Sequence, residues 1–282
     1  MTLNEVYLRG KNVLATAKIE SPAFDTMQIF EKCFKLTRQD IIVSRSAVAD
    51  VEKTRQFFKL IEERAAGRPL QYILGTWSFM DVNFKVGEGI LIPRDDTEVL
   101  VNAVLTYIKD LHAPKVLDLC AGPGTIAITL AKKQPDANVV AVELSEIALN
   151  YLHENLSLNS VTNVEVVPFD VLSDISKFPF SEFDVIVSNP PYIPSEDLKM
   201  LQKEVQYEPK LALDGGFDGL KFYRAIAKNW TSLLKKSGCI CVEVGQGQAR
   251  KVADIFEENN LRNIQIFKDL ADIDRVVVAQ KL

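Results

Sequence analysis

The sequence contains few of the side chains on which metal centres and disulfide frameworks depend. Only two histidines and four cysteines occur among its 282 residues. The cysteines include no pair at the C-x-x-C spacing, so the pattern argues against a zinc site and against a disulfide-rich secreted domain. We therefore expect a protein that holds no metal. The cysteines are Cys33, Cys120, Cys239 and Cys241.

Long hydrophobic runs are also missing from the chain. Although 47% of the residues are hydrophobic, no segment approaches the roughly 18 uninterrupted apolar residues that a membrane-spanning helix requires. The first residues, with Asn4, Glu5 and Arg9 among them, do not form the apolar stretch of a secretory signal. A cytoplasmic protein without a membrane partner is expected.

An excess of positive charge is absent as well, since the formal net charge is −5 at pH 7. This balance argues against a surface that coats nucleic acid, although a local basic groove is compatible with it. We expect no direct nucleic-acid partner. The chain is long enough for one large domain and a smaller one.

Three segments with different residue patterns predict the domain organisation. Residues 1–66 have apolar side chains at helical spacing and no strand-like alternation, which predicts a small helical bundle. Residues 67–94 consist of short apolar runs between glycines, which predicts a β-hairpin hinge. Residues 95–282 alternate apolar strands with helices. The expected helical stripes are Leu3, Val6, Tyr7, Val13 and Leu14, then Phe24, Met27, Phe30 and Phe34, then Val51, Phe57, Phe58, Ile61 and Ala65.

The alternation in residues 95–282 predicts an α/β fold with a doubly wound, seven-stranded, Rossmann-like sheet. The last two strands follow one another without a clear helix between them, so we expect an antiparallel pair at one edge. The predicted strands are Lys115–Leu119, Val139–Glu143, Val164–Pro168, Phe183–Ser188, Cys239–Val244, Ile264–Lys268 and Val276–Gln280, and the predicted helices lie near Ile126–Lys133, Glu146–Leu158, Lys221–Lys236 and Gln248–Asn259.

A glycine-containing turn follows the first of these strands. Glycines let the backbone approach a ligand closely, and the helix that comes next presents free N–H groups at its start. The third glycine of the dinucleotide fingerprint is missing, so a pyrophosphate is not expected here. The turn consists of Cys120, Ala121, Gly122, Pro123 and Gly124.

Two carboxylates follow the next two strands and extend this site. Glu143 ends the second strand, where an acid can accept hydrogen bonds from both hydroxyl groups of a ribose. Asp170 follows the third strand, where it can accept a hydrogen bond from an adenine amino group. With the glycine turn, these residues predict a ligand that contains a nucleoside.

The tetrapeptide Asn189-Pro190-Pro191-Tyr192 follows the fourth predicted strand. Open α/β sheets bind ligands at the carboxyl ends of their strands. Prolines have no N–H donors, so their carbonyl groups are available to accept bonds from a ligand. The side-chain oxygen of Asn189 and the carbonyl of Pro190 could together hold an NH₂ group by both hydrogens. Tyr192 offers a flat face to a planar amide or base.

The order of these motifs resembles that of class I S-adenosylmethionine-dependent methyltransferases. The residues that carry this likeness are Asp118 to Gly124, Glu143, Asp170 and Asn189 to Tyr192. The whole chain further resembles the peptide chain release factor glutamine N5-methyltransferases. The narrower likeness lies in Gly67-x-Pro69-x-Gln71-Tyr72-Ile73-x-Gly75, Leu91-Ile92-Pro93-Arg94-x-x-Thr97-Glu98, Glu243-Val244-Gly245 and Asp272-x-Asp274-Arg275.

The resemblance implies methyl transfer from S-adenosylmethionine to the glutamine of the Gly-Gly-Gln motif of a release factor. Residues 95–282 would form the methyltransferase domain, residues 1–66 would help to dock the release factor, and a monomer is expected. The implied donor site comprises Cys120, Ala121, Gly122, Pro123, Gly124, Glu143, Asp170, Val171 and Asn189. The implied catalytic residues are Asn189, Pro190 and Tyr192, and Pro191 joins them in binding the substrate.

Two other functions are compatible with the motifs. Asn-Pro-Pro-Tyr also occurs in enzymes that methylate exocyclic amines of RNA or DNA bases, and a cofactor-binding scaffold without catalysis would retain the donor site. A further polar cluster is formed by Arg94, Thr97 and Glu98. It could position the protein substrate or close over the cofactor, or it could form an interdomain salt bridge beside a capped helix, so no site role is assigned to it.

Overall fold

The computed structural model describes residues 1–44 and 46–282. The chain divides into two compact units, of which the first contains Met1–Thr76 and Gln202–Tyr207 and the second contains Trp77–Leu201 and Glu208–Leu282. Within the described residues, no helix combines the length and the apolar character needed to cross a membrane.

In its described residues, the first unit contains five α-helices around an aromatic core. Thr2 caps the first helix through the N–H of Glu5. The core contains the fully buried rings of Phe30 and Phe57, and Phe34 stacks on Phe30 with ring centroids 4.3 Å apart. The helices are α1 (Leu3–Thr16), α2 (Pro22–Phe34), α3 (Arg38–Val43), α4 (Val51–Ala65) and α5 (Leu70–Leu74).

Two expected core residues of these helices lie at the surface, so their assignment to the apolar stripes was wrong. Phe24 is 51% exposed and Val51 is 75% exposed. In α2 the inward position belongs instead to Asp25, whose carboxylate accepts a hydrogen bond from Arg64 Nε over 2.7 Å. This buried ion pair sets the rotation of α2. Arg64 also binds Glu204 over 2.6 Å, which ties Gln202–Tyr207 to the helical unit.

A two-stranded hairpin follows the helices. Its strands are β1 (Thr76–Phe79) and β2 (Val82–Lys85). The connecting residues Met80 and Asp81 both have positive φ angles, of 47° and 66°, as a two-residue type I′ turn requires. Helix α6 (Thr97–Ile108) comes after the hairpin.

The second unit contains a seven-stranded sheet in the order β5-β4-β3-β6-β7-β9-β8. Strands β3 to β7 pair in parallel, and β9 pairs antiparallel with both β7 and β8. The predicted α/β sheet with an antiparallel edge is thus confirmed. Its elements are β3 (Lys115–Leu119), α7 (Thr125–Lys133), β4 (Asn138–Glu143), α8 (Glu146–Asn159), β5 (Val164–Pro168), β6 (Phe183–Ser188), α9 (Lys210–Leu213), α10 (Lys221–Asn229), β7 (Leu234–Glu243), α11 (Ala249–Glu258), β8 (Leu261–Lys268) and β9 (Asp274–Lys281).

The order of the strands reverses at β3. Strand β4 lies on one side of β3, and β6 lies on the other side. Along the chain, β6 comes after β4 and β5. The connections that leave β3 and β6 therefore diverge, and a crevice opens at their carboxyl ends. The glycine turn after β3 and the tetrapeptide after β6 meet at this point of the sheet.

The predicted helix Lys221–Lys236 was too long. Helix α10 ends at Asn229, one 3₁₀ turn covers Trp230–Leu233, and β7 begins at Leu234. Trp230 is fully buried, and its indole N–H donates to the carbonyl of Val171 over 2.9 Å. This anchor ends the helix and returns the chain to the sheet, where Leu234 pairs with Phe183.

Candidate active site

A cavity of about 660 Å³ opens at the carboxyl ends of β3, β4 and β6. Its volume lies within the range of about 300–1,000 Å³ that is typical of small-molecule sites. Most of the predicted site residues line it, and all of its lining residues belong to the second unit. The predicted residues that line the cavity are Cys120, Ala121, Gly122, Pro123, Glu143, Asp170, Val171, Asn189 and Pro191.

The glycine turn adopts backbone angles that favour glycine. Gly122 has a φ angle of +57°, and a Cβ atom added to it would meet nothing within 4 Å, so its bare backbone borders open space. Gly124 does not line the cavity; a Cβ atom there would lie 2.8 Å from Ile128 Cδ1. The first glycine therefore leaves room for a ligand, and the second lets α7 pack closely.

Asp118 lies behind this turn and is fully buried. Its Oδ2 atom accepts a hydrogen bond from the N–H of Ala127 over 3.0 Å, which satisfies one of the free donors in the first turn of α7. Its Oδ1 atom has no hydrogen-bond partner among the described residues. Burial, which outweighs the bond to Ala127, raises the pKa of this carboxyl group well above its ordinary value.

Glu143, at the end of β4, is held by three backbone N–H groups. Oε2 accepts from Gly122 over 2.7 Å, and Oε1 accepts from Leu144 over 2.8 Å and from Ser145 over 2.7 Å. An ionised carboxylate has about four acceptor positions. One acceptor position on Oε2 therefore remains for a ligand hydroxyl. The sequence had predicted hydrogen bonds to Glu143 from both hydroxyl groups of a ribose.

The far end of the cavity is formed by the residues after β5. Asp170 Oδ1 accepts a hydrogen bond from the N–H of Leu172 over 2.8 Å, and Val171 is 4% exposed. Phe169 also lines the cavity, and its ring makes an edge-to-face contact with Trp230 at 5.8 Å between centroids. An aromatic ring is thus present beside Val171. Its residue, Phe169, was not among the site residues predicted from the sequence.

The tetrapeptide after β6 is anchored through its first side chain. Asn189 Nδ2 donates to Thr97 Oγ1 over 3.3 Å, and Thr97 Oγ1 donates to Glu243 Oε2 over 2.6 Å. Thr97 and Glu243 are both buried. Burial raises the pKa of Glu243 to about 7, against the smaller lowering effect of its hydrogen bond with Thr97.

The two prolines of the tetrapeptide are buried, but only Pro191 lines the cavity. No hydrogen bond to the carbonyl oxygen of Pro190 occurs among the described residues. A buried backbone carbonyl is normally paired. The described residues thus supply no partner for this oxygen, and Pro190 itself is not part of the cavity lining.

Tyr192 is not among the residues that line the cavity. Its backbone lies against glycines, since a Cβ atom added to Gly219 would come within 2.3 Å of Tyr192 O, and one added to Gly215 within 2.8 Å of Tyr192 Cα. Gln248 Nε2 donates to Tyr192 O over 2.8 Å. Burial, followed by the nearby charge of Glu243, raises the pKa of Tyr192 to about 12. The phenol stays protonated at neutral pH.

Two members of the polar cluster that received no role from the sequence, Arg94 and Thr97, line the cavity, and Glu98 does not. Arg94 lines the cavity and forms an ion pair with Glu208, and Glu208 Oε2 accepts from the N–H of Ile92 over 3.0 Å. Both partners lie in the second unit, so the pair is not an interdomain bridge. The motif Glu243-Val244-Gly245 was the available signal for Glu243, but no spacing rule connects it to Thr97.

Comparisons with known proteins show the family to which the chain is similar. Residues 5–75 match the family described as the PrmC N-terminal domain, and residues 95–209 match the Methyltransferase small domain. The chain is 36% identical over 283 residues to the release factor glutamine methyltransferase of Clostridium botulinum, with 100% of both chains covered. It is 41% identical over 235 residues to that of Thermodesulfovibrio yellowstonii, with 82% of each chain covered.

A solved structure of lower identity shares the fold. The methyltransferase from Pyrococcus furiosus superposes with a TM-score of 0.53 at 16% identity, over 72% of this chain and 91% of that chain. Folds are shared among proteins of different function, so this likeness supports the architecture of the sheet and nothing finer.

Proposed function

The chain belongs to the family of release factor glutamine methyltransferases, and on this premise we propose that it methylates the side-chain amide nitrogen, N5, of a release factor glutamine. The methyl donor is S-adenosylmethionine, and the acceptor is the glutamine of the Gly-Gly-Gln motif. Residues 1–66 recognise the release factor, residues 67–94 form a hinge, and residues 95–282 carry out the transfer.

The observation that carries this proposal is the pair of oxygen acceptors at the tetrapeptide. Thr97 holds the NH₂ end of the Asn189 amide, so the carbonyl end of the same amide is left for a ligand in the cavity. The carbonyl of Pro190, which has no partner among the described residues, would be the neighbouring acceptor. Two such acceptors match the two hydrogens of a primary amide, which is the group that a glutamine side chain presents.

The residues around the glycine turn fit S-adenosylmethionine. The open space beside Gly122 admits the amino-acid end of the donor, and the remaining acceptor position of Glu143 suits a ribose hydroxyl. Asp170, Val171 and Phe169 border the part of the cavity that suits the adenine. When bound, S-adenosylmethionine supplies a methyl group that its positively charged sulfur activates.

Catalysis by these residues is a matter of placement. An amide nitrogen is a poor nucleophile because its lone pair is delocalised into the carbonyl group. Bonds from both N–H groups to Asn189 and Pro190 would orient the nitrogen toward the donor, and the same two oxygens would stabilise positive charge as it develops on nitrogen. The methylated amide then releases one proton to water. Tyr192, protonated at neutral pH, supports the loop and exchanges no proton.

The acceptor is proposed to be a protein, and the enzyme is proposed to act as a monomer in the cytoplasm. Every residue that lines the cavity lies in one unit of one chain, so the site needs no residue from a second copy. The net charge of −5 does not favour a nucleic-acid substrate, which would require contacts to phosphates.

A direct assay distinguishes the possible acceptors. Purified protein and S-adenosylmethionine with a labelled methyl group are incubated separately with a release factor, ribosomal RNA and duplex DNA. We expect label only in the release factor, and mass spectrometry should locate a single added methyl group on the glutamine of Gly-Gly-Gln. The matched control is a release factor with that glutamine replaced by asparagine. Label in RNA or DNA, or donor binding without transfer to any acceptor, would refute the proposal.

A further inference from the structure

Three side chains from distant parts of the second unit form one hydrogen-bonded row beside the cavity. Asn189 follows β6, Thr97 begins α6, and Glu243 ends β7. The row runs from Asn189 Nδ2 to Thr97 Oγ1 over 3.3 Å and from Thr97 Oγ1 to Glu243 Oε2 over 2.6 Å. Asn189 and Thr97 both line the cavity, and Glu243 lies behind them, outside its lining.

The direction of these bonds follows from the number of protons available. An ionised carboxylate only accepts hydrogen bonds, and a hydroxyl group has a single proton to donate. Thr97 gives its proton to Glu243, so toward Asn189 its oxygen can only accept. The atom of Asn189 that faces Thr97 must therefore be the NH₂ nitrogen, and the carbonyl oxygen is left on the other side.

This orientation decides whether the site can hold an amide. With its oxygen toward the cavity, Asn189 can accept a hydrogen bond from the NH₂ group of a glutamine. In the reversed orientation, Asn189 would present its own NH₂ group to that of the substrate, and two donors would face each other. The two orientations differ little in shape, so the side chain needs a partner that tells oxygen from nitrogen.

We propose that Thr97 and Glu243 are positioning residues, which form a relay that keeps the carbonyl oxygen of Asn189 directed at the substrate amide. The relay deepens the proposed function and rests on it. Thr97 lines the cavity beside Asn189 and Glu243 does not, and both act by fixing the orientation of the Asn189 amide.

The charge of Glu243 controls the relay. Its ionised carboxylate accepts the Thr97 proton, but a protonated Glu243 would donate to Thr97 Oγ1 instead and release the Thr97 proton toward Asn189. Glu243 accepts hydrogen bonds from the side chains of Thr97 and, more weakly, Asn189, and it faces the charges of Asp96 at the start of α6 and Arg275 in β9. Tyr192 and Tyr223 of α10 also lie close enough for their pKa values to respond to Glu243. Arg275 favours the ionised form, and Asp96 opposes it.

Paired substitutions of Thr97 test the hydroxyl group itself. Thr97→Val keeps the branched shape and removes the hydroxyl, so kcat for the release factor should fall about tenfold, the order of effect of one or two buried hydrogen bonds. Thr97→Ser restores the hydroxyl and should recover most of that loss. Binding of S-adenosylmethionine, measured by calorimetry, should not change in either variant. The matched control is Thr106→Val, at an exposed position of the same helix.

A second variant guards against a misfolded Thr97→Val protein. Glu243→Gln presents an NH₂ group that can pair with the oxygen of a reversed Asn189, so we expect about a tenfold loss of kcat here too. The rate of the wild type should fall as the pH falls through about 7, where Glu243 becomes protonated, and Glu243→Gln should lack this acid limb. A kcat of Thr97→Val within about twofold of wild type, or a Thr97→Ser kcat as low as that of Thr97→Val, would overturn the relay.

A measurement on the free protein separates the relay from the proposed function. The side-chain NH₂ signal of Asn189 in a ¹⁵N NMR spectrum is identified by its absence from Asn189→Ala. We expect this signal to shift with a midpoint near pH 7 in the wild type and to stay constant in Glu243→Gln. If the signal shifts but no release factor is methylated, the proposed function fails and the relay stands. If the enzyme is active but the signal ignores both pH and substitution, the relay fails alone.

Discussion

Replacement of Glu243 by glutamine should make the folded protein more stable at alkaline pH than at acidic pH, relative to wild type. In the folded protein burial raises the pKa of Glu243 from 4.5 to about 7. In the unfolded chain the side chain regains its ordinary pKa. Between these two values the folded state binds more protons than the unfolded state, so the stability of the wild type declines as the pH rises. Glutamine has no proton to lose, and the variant should not show this decline.

The size of the effect follows from the same two pKa values. Each tenfold change in an ionisation constant corresponds to about 1.4 kcal/mol, so a pKa raised from 4.5 to about 7 corresponds to at most about 3 kcal/mol. The difference in unfolding free energy between variant and wild type should therefore grow by about 3 kcal/mol from pH 4 to pH 8. The hydrogen bonds of the new amide could change the stability of the variant by the same amount at every pH. Such a constant change would not alter the increase between pH 4 and pH 8.

The assay is denaturant unfolding followed by tryptophan fluorescence. Trp77 and Trp230 are the two tryptophans of the chain, and both lie in the second unit, so their fluorescence reports on the unit that contains Glu243. The matched control is Glu165→Gln in β5, where the carboxylate is exposed. A difference between Glu243→Gln and wild type that stays flat from pH 4 to pH 8 would show that Glu243 does not ionise as the structure indicates.

Three further substitutions test the site and the helical unit. Asn189→Ala should abolish methyl transfer and leave the affinity for S-adenosylmethionine within a modest factor; full turnover in a radiometric assay would contradict the assignment. Gly122→Ala should cost about 1–2 kcal/mol at its left-handed φ angle and weaken donor binding in calorimetry, whereas Gly75→Ala, which also has positive φ and open space around it, should leave donor binding unchanged. Asp25→Ala should cost the helical unit about 1.5–3 kcal/mol, because Arg64 loses one charged hydrogen-bond partner and keeps Glu204. Amide hydrogen exchange in α2 and α4 measures that loss. The control is Glu52→Ala, which breaks an exposed ion pair with Arg55. Exchange in Asp25→Ala that is no faster than in this control would contradict the prediction.

The sheet could be predicted from the sequence because its strands are short, apolar and separated by recognisable helices. Strands such as Phe183–Ser188 and Lys115–Leu119 have the same bounds in the structure as in the prediction. Local sequence patterns predict the end of a helix less well where a contact with a distant residue determines that end. Trp230 continues the apolar stripe of α10, yet its bond to Val171 ends the helix there, and the sequence contains no sign of that partner.

That the residues after β3, β4 and β5 line one cavity was predictable for a related reason. Cys120 to Pro123, Glu143 and Asp170 follow consecutive parallel strands, whose carboxyl ends meet at one edge of the sheet by geometry alone. The relay was not predictable in this way. Thr97 lies 92 positions before Asn189 and 146 before Glu243, and each of the three residues alone has an ordinary surface or capping role available. Tyr192 shows the same limit, because its neighbours Gly215 and Gly219 are remote in the chain.

The bond between Arg64 and Glu204 means that the helical unit is not encoded by one continuous stretch of sequence. A fragment that stops at Thr76 would lack Gln202–Tyr207 and with it one of the two carboxylates that neutralise the buried guanidinium. Recombinant fragments and chimaeras that exchange only the amino-terminal part between homologues would therefore need a compatible residue at position 204. The two parts of this protein should have changed together during evolution, and they are poor candidates for separate transplantation.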